Sequence, residues 1–146
     1  MNQKEILRKL RELLDDSRAG LLGSVDAEGK VHIRWMTPVV SQDRVNTIFC
    51  VTREDARKVR HIEVQPQVEW MIQNKALTEI VNVRGVATVL DNPGLKTEVL
   101  EALGSKLTVF WKVDLAKIDL VVIETVMQEA IYFRPMKGER EIVRFV

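Results

Sequence analysis

The hydrophobic pattern changes period once, near residue 18. From residue 3 to 15 the apolar positions are Ile6, Leu7, Leu10, Leu13 and Leu14. Steps of three and four put them on one face of an amphipathic helix, and Asn2 with Glu5 can form a capping box at its start. Beyond it the apolar residues alternate or come in short runs, as strands require. Segments 19–25 (AGLLGSV) and 31–36 (VHIRWM) flank DAEGK with its Gly29, which predicts a hairpin. Further strands are predicted at 45–52 (VNTIFCVT), 67–73 (QVEWMIQ), 78–90 (TEIVNVRGVATVL) and 119–128 (DLVVIETVMQ). The segment 129–135 (EAIYFRP) continues the sheet, and 139–146 (EREIVRFV) alternates. Gly85, inside the long strand, predicts a bulge or bend.

Two more helices interrupt the strands. Residues 53–62 (REDARKVRHI) predict a short one, with Thr52 as N-cap and Asp55 at the capping-box position. Asp91-Asn92-Pro93 predicts a third start, with Leu95, Val99, Leu100 and Leu103 as its apolar face and Gly104 as its stop. Residues 106–118 (KLTVFWKVDLAKI) fit neither period. Six to eight strands with mostly short links favour an antiparallel sheet, and closure removes its edges. The expected fold is mainly β, an antiparallel β-barrel with helices packed around it.

A length of 146 residues fits one domain, 1–146. A net charge of +1 offers no basic excess for nucleic acid. No apolar run approaches the roughly 20 residues that span a bilayer, and the charged start MNQKEILRKL is no signal peptide. The expected location is cytoplasmic. The one cysteine, Cys50, cannot form an internal disulfide, and with only His32 and His61 beside it no zinc cluster is expected.

Two segments carry candidate chemistry. In HIRWMTPVV (32–40), Val31, Ile33 and Trp35 make the apolar side of the strand, and His32, Arg34 and Met36 lie opposite. That mixed side either faces water or lines a site for a flat, partly anionic ligand. In VTREDARKV (51–59), a strand end passes Thr52 into a helix start, where free backbone N–H groups favour an anion. Arg57 and Lys58 add charged donors. The opposing reading is a solvated helix face, in which Glu54 and Asp55 already complement the helix dipole and repel a phosphate. Cys50 reads as a small buried hydrophobe. Trp35, Trp70 and Trp111 read as core or interface residues, and 110–111 (FW) as a partner surface. No nucleophilic triad, paired carboxylates or phosphate-binding glycine loop is present, so any chemistry belongs to a cofactor.

Taken together, these segments resemble the pyridoxamine 5′-phosphate oxidase-like flavin-binding split barrels, in their general-stress-protein branch. The likeness runs over residues 4 to 134. It rests on the first helix, GLLGSVDAEGKVHIRWMTPV, IFCVTREDARKV, PQVEWMI and IVNVRGVATVLD. It implies a six- to eight-stranded antiparallel split β-barrel that binds FMN, with the flavin held by Arg34, Trp35, Met36 and Thr37. Thr52, Arg57 and Lys58 would serve the phosphate end, and Val51 is a further cofactor-binding residue. It also implies a homodimer with flavin at the interface, and Trp111 as a contact from the partner. The activity implied is a flavin-dependent oxidoreductase passing hydride through flavin N5 to or from a nicotinamide or small substrate. The alternatives are a non-catalytic flavin-binding or stress-response protein, or a split barrel using deazaflavin or haem. Departures argue against the true oxidase. Val39 stands near the place of its Lys, Ala56 replaces its Ser, Glu54 and Asp55 add negative charge, and PMKGEREIVRFV lacks its Arg-rich substrate motif.

Overall fold

The computed structural model describes residues 1–41, 43–104 and 119–145. Its elements follow in order: α1 (Gln3–Ser17), β1 (Gly20–Val25), β2 (Val31–Met36), β3 (Val39–Val40), β4 (Thr47–Arg53), α2 (Arg57–Val64), β5 (Gln67–Gln73), β6 (Ile80–Leu90), α3 (Pro93–Leu103), β7 (Leu120–Arg134) and β8 (Glu139–Arg144). All the strands belong to one sheet, ordered β2-β1-β5-β6-β7-β4-β3, with β8 also on β7. Every pairing is antiparallel. The sheet curls into a split half-barrel.

The split originates in β7. One of its edges pairs with β6 from Val122 to Phe133. The other is shared, with β4 along Leu120–Val126 and β8 along Glu129–Arg134. Segments 119–128 and 129–135 are thus one continuous strand. A strand of that length must bend, and the bend lies opposite the bulge between Arg84 and Gly85. A Cβ at position 85 would stand 2.5 Å from the Val126 carbonyl oxygen, so only glycine fits there.

Helix α1 packs its apolar face on the core side of the curled sheet. The capping box forms as expected, with Asn2 Oδ1 accepting from the Glu5 N–H at 2.9 Å and Glu5 accepting in return from the Asn2 N–H. Ile6, Leu7, Leu10, Leu13 and Leu14 are buried against Trp70, Ile72, Val81 and Val83. Trp70 is fully buried and its indole N–H donates to Thr125 Oγ1 at 3.1 Å. Glu79 clamps the helix from the side, accepting from Lys9 Nζ at 2.9 Å and from the Tyr132 hydroxyl at 2.5 Å. The third helix lies over the other face of β4, where Leu95, Val99 and Leu103 pack on Phe49, Val51 and Val122. Asn92 caps it and Gly104 ends it, as the sequence predicts.

Two expectations need correction, and one strand escapes the sequence pattern. Helix α2 starts at Arg57, not 53, and its N-cap is Ala56, not Thr52. The strand before it runs on to Arg53, because those residues pair with β7 to Leu120. Second, the Val31-Ile33-Trp35 side of β2 faces outward, 68%, 67% and 63% exposed, while Met36 is buried and Arg34 half-buried. The pair Val39–Val40 forms β3 against β4, although its run is too short to signal a strand. Residues 106–118, and Trp111 with them, lie outside the described residues. No helix among the described residues is long and apolar enough to cross a membrane.

Candidate functional site

The ends of β2 and β4 and the start of α2 meet around one corner of the sheet. Trp35, Met36, Thr37, Val51, Thr52 and Lys58 border a single cavity of about 230 Å³ there, together with Arg53 and Ala56. Alternation sorts the β4 residues. Ile48 and Cys50 face the barrel interior and Thr52 follows them, whereas Val51 shares the face of Phe49 under α3. Thr52 is buried, and its Oγ1 accepts from Lys58 Nζ at 3.1 Å. The later start brings Lys58 into the first turn and over the strand.

Arg34 comes from the other side. Its Nη1 donates to Ser24 Oγ at 2.7 Å and to the Leu22 carbonyl at 3.3 Å. Both partners are neutral. Burial holds the guanidinium below its ordinary pKa, and the charge of Arg57 adds to that. Lys58 is likewise held down, by burial first and then by Arg34. Among the described residues no ion pair engages Arg34, Arg57 or Lys58. Three cations converge on one corner, two of them half-buried, without a carboxylate to balance them.

The acidic turn does not supply that balance. Asp55 bends back onto Arg53, with Arg53 Nε and Nη2 donating at 3.1 and 3.2 Å. Glu54 borders a different cavity, with Val59, Arg60 and Glu63. Neither lies in the first turn of α2, which has no acidic residue and no side-chain cap. The Val59 N–H donates to the Ala56 carbonyl at 3.1 Å, and the N–H groups of Arg57 and Lys58 before it are the ones an anion could meet. Cys50 is fully buried, and its thiol is pushed up to about 12 by burial. A buried thiol held protonated is a poor nucleophile.

Behind Arg34 lies a group the sequence pattern does not single out as a site. His32 Nε2 stands 2.9 Å from Asp26 Oδ2, and the ring of His32 lies 4.5 Å from that of His61. His61 Nδ1 is 3.5 Å from Ser24 Oγ, the hydroxyl that also accepts from Arg34. The available signal is spacing, since His61 follows Arg57 by four residues and shares its helix face. Its meeting with His32 depends on α2 packing across β1, which the local pattern does not encode.

The sequence model for the family described as "Pyridoxamine 5'-phosphate oxidase like" matches residues 5–143. No curated protein matches the chain. Among solved structures, the general stress protein 26 of Bacillus anthracis str. Sterne superposes with a TM-score of 0.73 at 18% identity, covering 97% of this chain and 99% of that one. A structure named F420 reductase reaches 0.64 at 16% identity, over 82% of this chain and 94% of that one. A haem-binding protein from Mycobacterium smegmatis reaches 0.70 at 15% identity, over 94% of this chain and 57% of that one. At these identities the superpositions speak for the fold. The family match spans nearly the whole chain, and the protein belongs to the pyridoxamine 5′-phosphate oxidase-like family.

Proposed function

We propose that this protein binds FMN and acts as a flavin-dependent oxidoreductase distinct from pyridoxamine phosphate oxidase. The observation that carries the proposal is the corner of half-buried Arg34 and Lys58, beside Thr52 and the uncapped start of α2, with no carboxylate among the described residues to neutralise them. Unbalanced charge in a partly dry corner is unfavourable unless an anion completes it. A phosphate monoester has the charge and the acceptor oxygens. Arg34, Thr52, Arg57 and Lys58 would hold it, and Trp35, Met36, Thr37 and Val51 would meet the remainder of the cofactor. Bound FMN supplies a ring that exchanges hydride at N5, with a nicotinamide or small molecule as its partner. The chain itself supplies binding, orientation and exclusion of water.

A second copy of the chain completes this reading. A cavity of about 230 Å³ is smaller than the roughly 300–1,000 Å³ usual for a ligand of this size. Next to it lie exposed Val31, Ile33 and Trp35 on an edge strand, continued across the sheet by Leu21 and Met71. Contiguous apolar surface of this kind marks an interaction site. A homodimer that covers it would enclose the flavin between two copies, with Trp111 as the further contact.

The test is a titration of purified protein with FMN, followed by flavin fluorescence. Binding at micromolar Kd or tighter is expected, weakened at least tenfold (about 1.4 kcal/mol) in Arg57→Ala and Lys58→Ala. Wild type that leaves FMN fluorescence unchanged refutes the FMN reading. The same titration with a deazaflavin, and a search for a Soret band with haemin, then decides between those cofactors. NAD(P)H oxidation by the loaded protein separates an enzyme from a flavin carrier.

A further inference from the structure

The chain has two histidines, and the fold stacks them on each other directly behind Arg34. They are held from both ends. Asp26 Oδ1 accepts from the backbone N–H groups of Glu28 and Lys30 at 3.0 and 2.9 Å, which fixes the β1–β2 turn, and its Oδ2 faces His32. At the other end, buried Ser24 links His61 to Arg34 through a single hydroxyl. We propose that this row is a proton-linked annex to the cation corner. When a phosphate dianion settles on Arg34, Arg57 and Lys58, His61 takes up a proton from solvent, and phosphate esters therefore bind more tightly at mildly acidic than at neutral pH. The inference rests on the phosphate reading of that corner.

The charges around His61 fix the sign. On its own helix stands Arg57. From β2 come His32 and Arg34, and from the β1–β2 turn comes Asp26. On the far side of α2, β6 presents neutral Ala87, Thr88 and Val89, and the charged residues that border the same cavity, Glu54, Arg60, Glu63 and Asp91, are not among the groups that act on His61. In the free protein burial holds His61 below the ordinary imidazole value, the charges on His32, Arg34 and Arg57 add to this, and Asp26 opposes it. A dianion beside the two arginines offsets their repulsion and favours the imidazolium. Between the free and the occupied value each binding event brings in up to one proton, so log affinity falls by up to one per pH unit as pH rises. Outside that window the slope vanishes. The ligand's own second ionisation, near pH 6, acts in the opposite direction, because it removes the dianion at low pH. The two contributions are thus separable by sign.

Two histidines give just two pairs of ring C–H resonances, so the test uses wild-type protein and NMR. The ring C–H signals are followed through a pH titration without ligand, with FMN and with inorganic phosphate. The signal missing in His32→Asn assigns the pair. An upward move of the His61 midpoint by about one unit or more on ligand addition is expected. In parallel, FMN affinity should fall about threefold or more between pH 6 and pH 7.5 in wild type relative to His61→Asn. A His61 midpoint that stays put while FMN binds in a Lys58-dependent way overturns the annex and leaves the FMN reading intact. If FMN does not bind, that reading fails, and inorganic phosphate decides alone: a raised midpoint supports the annex and an unchanged one overturns it.

Discussion

Strands β2 and β4 both end at the cation corner, yet they treat their side chains in opposite ways. Strand β4 sits between neighbours and is covered on both faces. Ile48 and Cys50 enter the barrel core, and Phe49 and Val51 enter the layer under α3. Strand β2 lies at the edge of the sheet and puts Val31, Ile33 and Trp35 outside, with His32 and Arg34 turned in. The contrast teaches that a strand's apolar face is not bound to be its core face. What decides is which face the rest of the molecule covers. An inverted edge strand is unfavourable for an isolated chain. It fits one that places a charged site inside and an apolar seam outside.

The largest expected effect tests the contrast directly. Ile48→Ala, at a fully buried position, should lower unfolding free energy by about 2–5 kcal/mol. Ile33→Ala on β2 should shift the monomer by no more than about 0.5 kcal/mol. Urea unfolding of both variants at low protein concentration makes the comparison, and equal losses would erase the distinction between the strands.

Next in size is Ile33→Asp. If the proposed homodimer forms through this face, sedimentation should find wild type dimeric and this variant monomeric, with FMN affinity reduced along with the association. A wild-type monomer that binds FMN fully would mean that the outer face of β2 has no part in the site.

Lys58→Met sharpens the contrast from the inside. Its ammonium is half-buried against a hydroxyl and repelled by Arg34. Removing it should leave thermal stability unchanged or raise it by up to about 1 kcal/mol, while FMN affinity drops at least tenfold. A clear loss of Tm would mean that the lysine serves packing before binding.

The smallest effect belongs to the Glu79 clamp on α1, far from the corner. The Tyr132 hydroxyl, and then Lys9, hold this carboxylate below its ordinary pKa. Its contribution is present above the usual carboxylate value of about 4.3 and is lost as pH falls through the folded value. Because the group is partly exposed the effect should be modest. Glu79→Gln should flatten the acid limb of the stability profile and leave FMN affinity alone. Tyr132 is linked in the opposite sense. It is raised to about 12 by burial first and Glu79 second, so its share is kept below pH 10 and is lost toward pH 12.

Local signals make most of the fold legible. The α1 stripe, the Asn2 cap, the Asn92-Pro93 start, the Gly104 stop and the Gly85 bulge act within a turn or two of chain, so spacing alone reveals them. The start of α2 is not legible in this way, because Thr52 and Asp55 are good capping residues in isolation. Pairing of Thr52 and Arg53 with Val121 and Leu120 overrides that preference. The acidic turn misleads for a related reason, since a neighbour on the strand, Arg53, takes Asp55 out of the corner.

What the sequence determined by itself was the inventory: a helix and a set of short-linked strands, two histidines, and a strand-end threonine followed by a basic pair. These follow from periodicity and capping, which are properties of neighbouring residues. Which face of β2 is covered, which cations remain without a carboxylate, and that His32 meets His61 were decided only by the tertiary structure. Each depends on residues from separate elements being brought together by sheet pairing and helix packing, and no local preference records that.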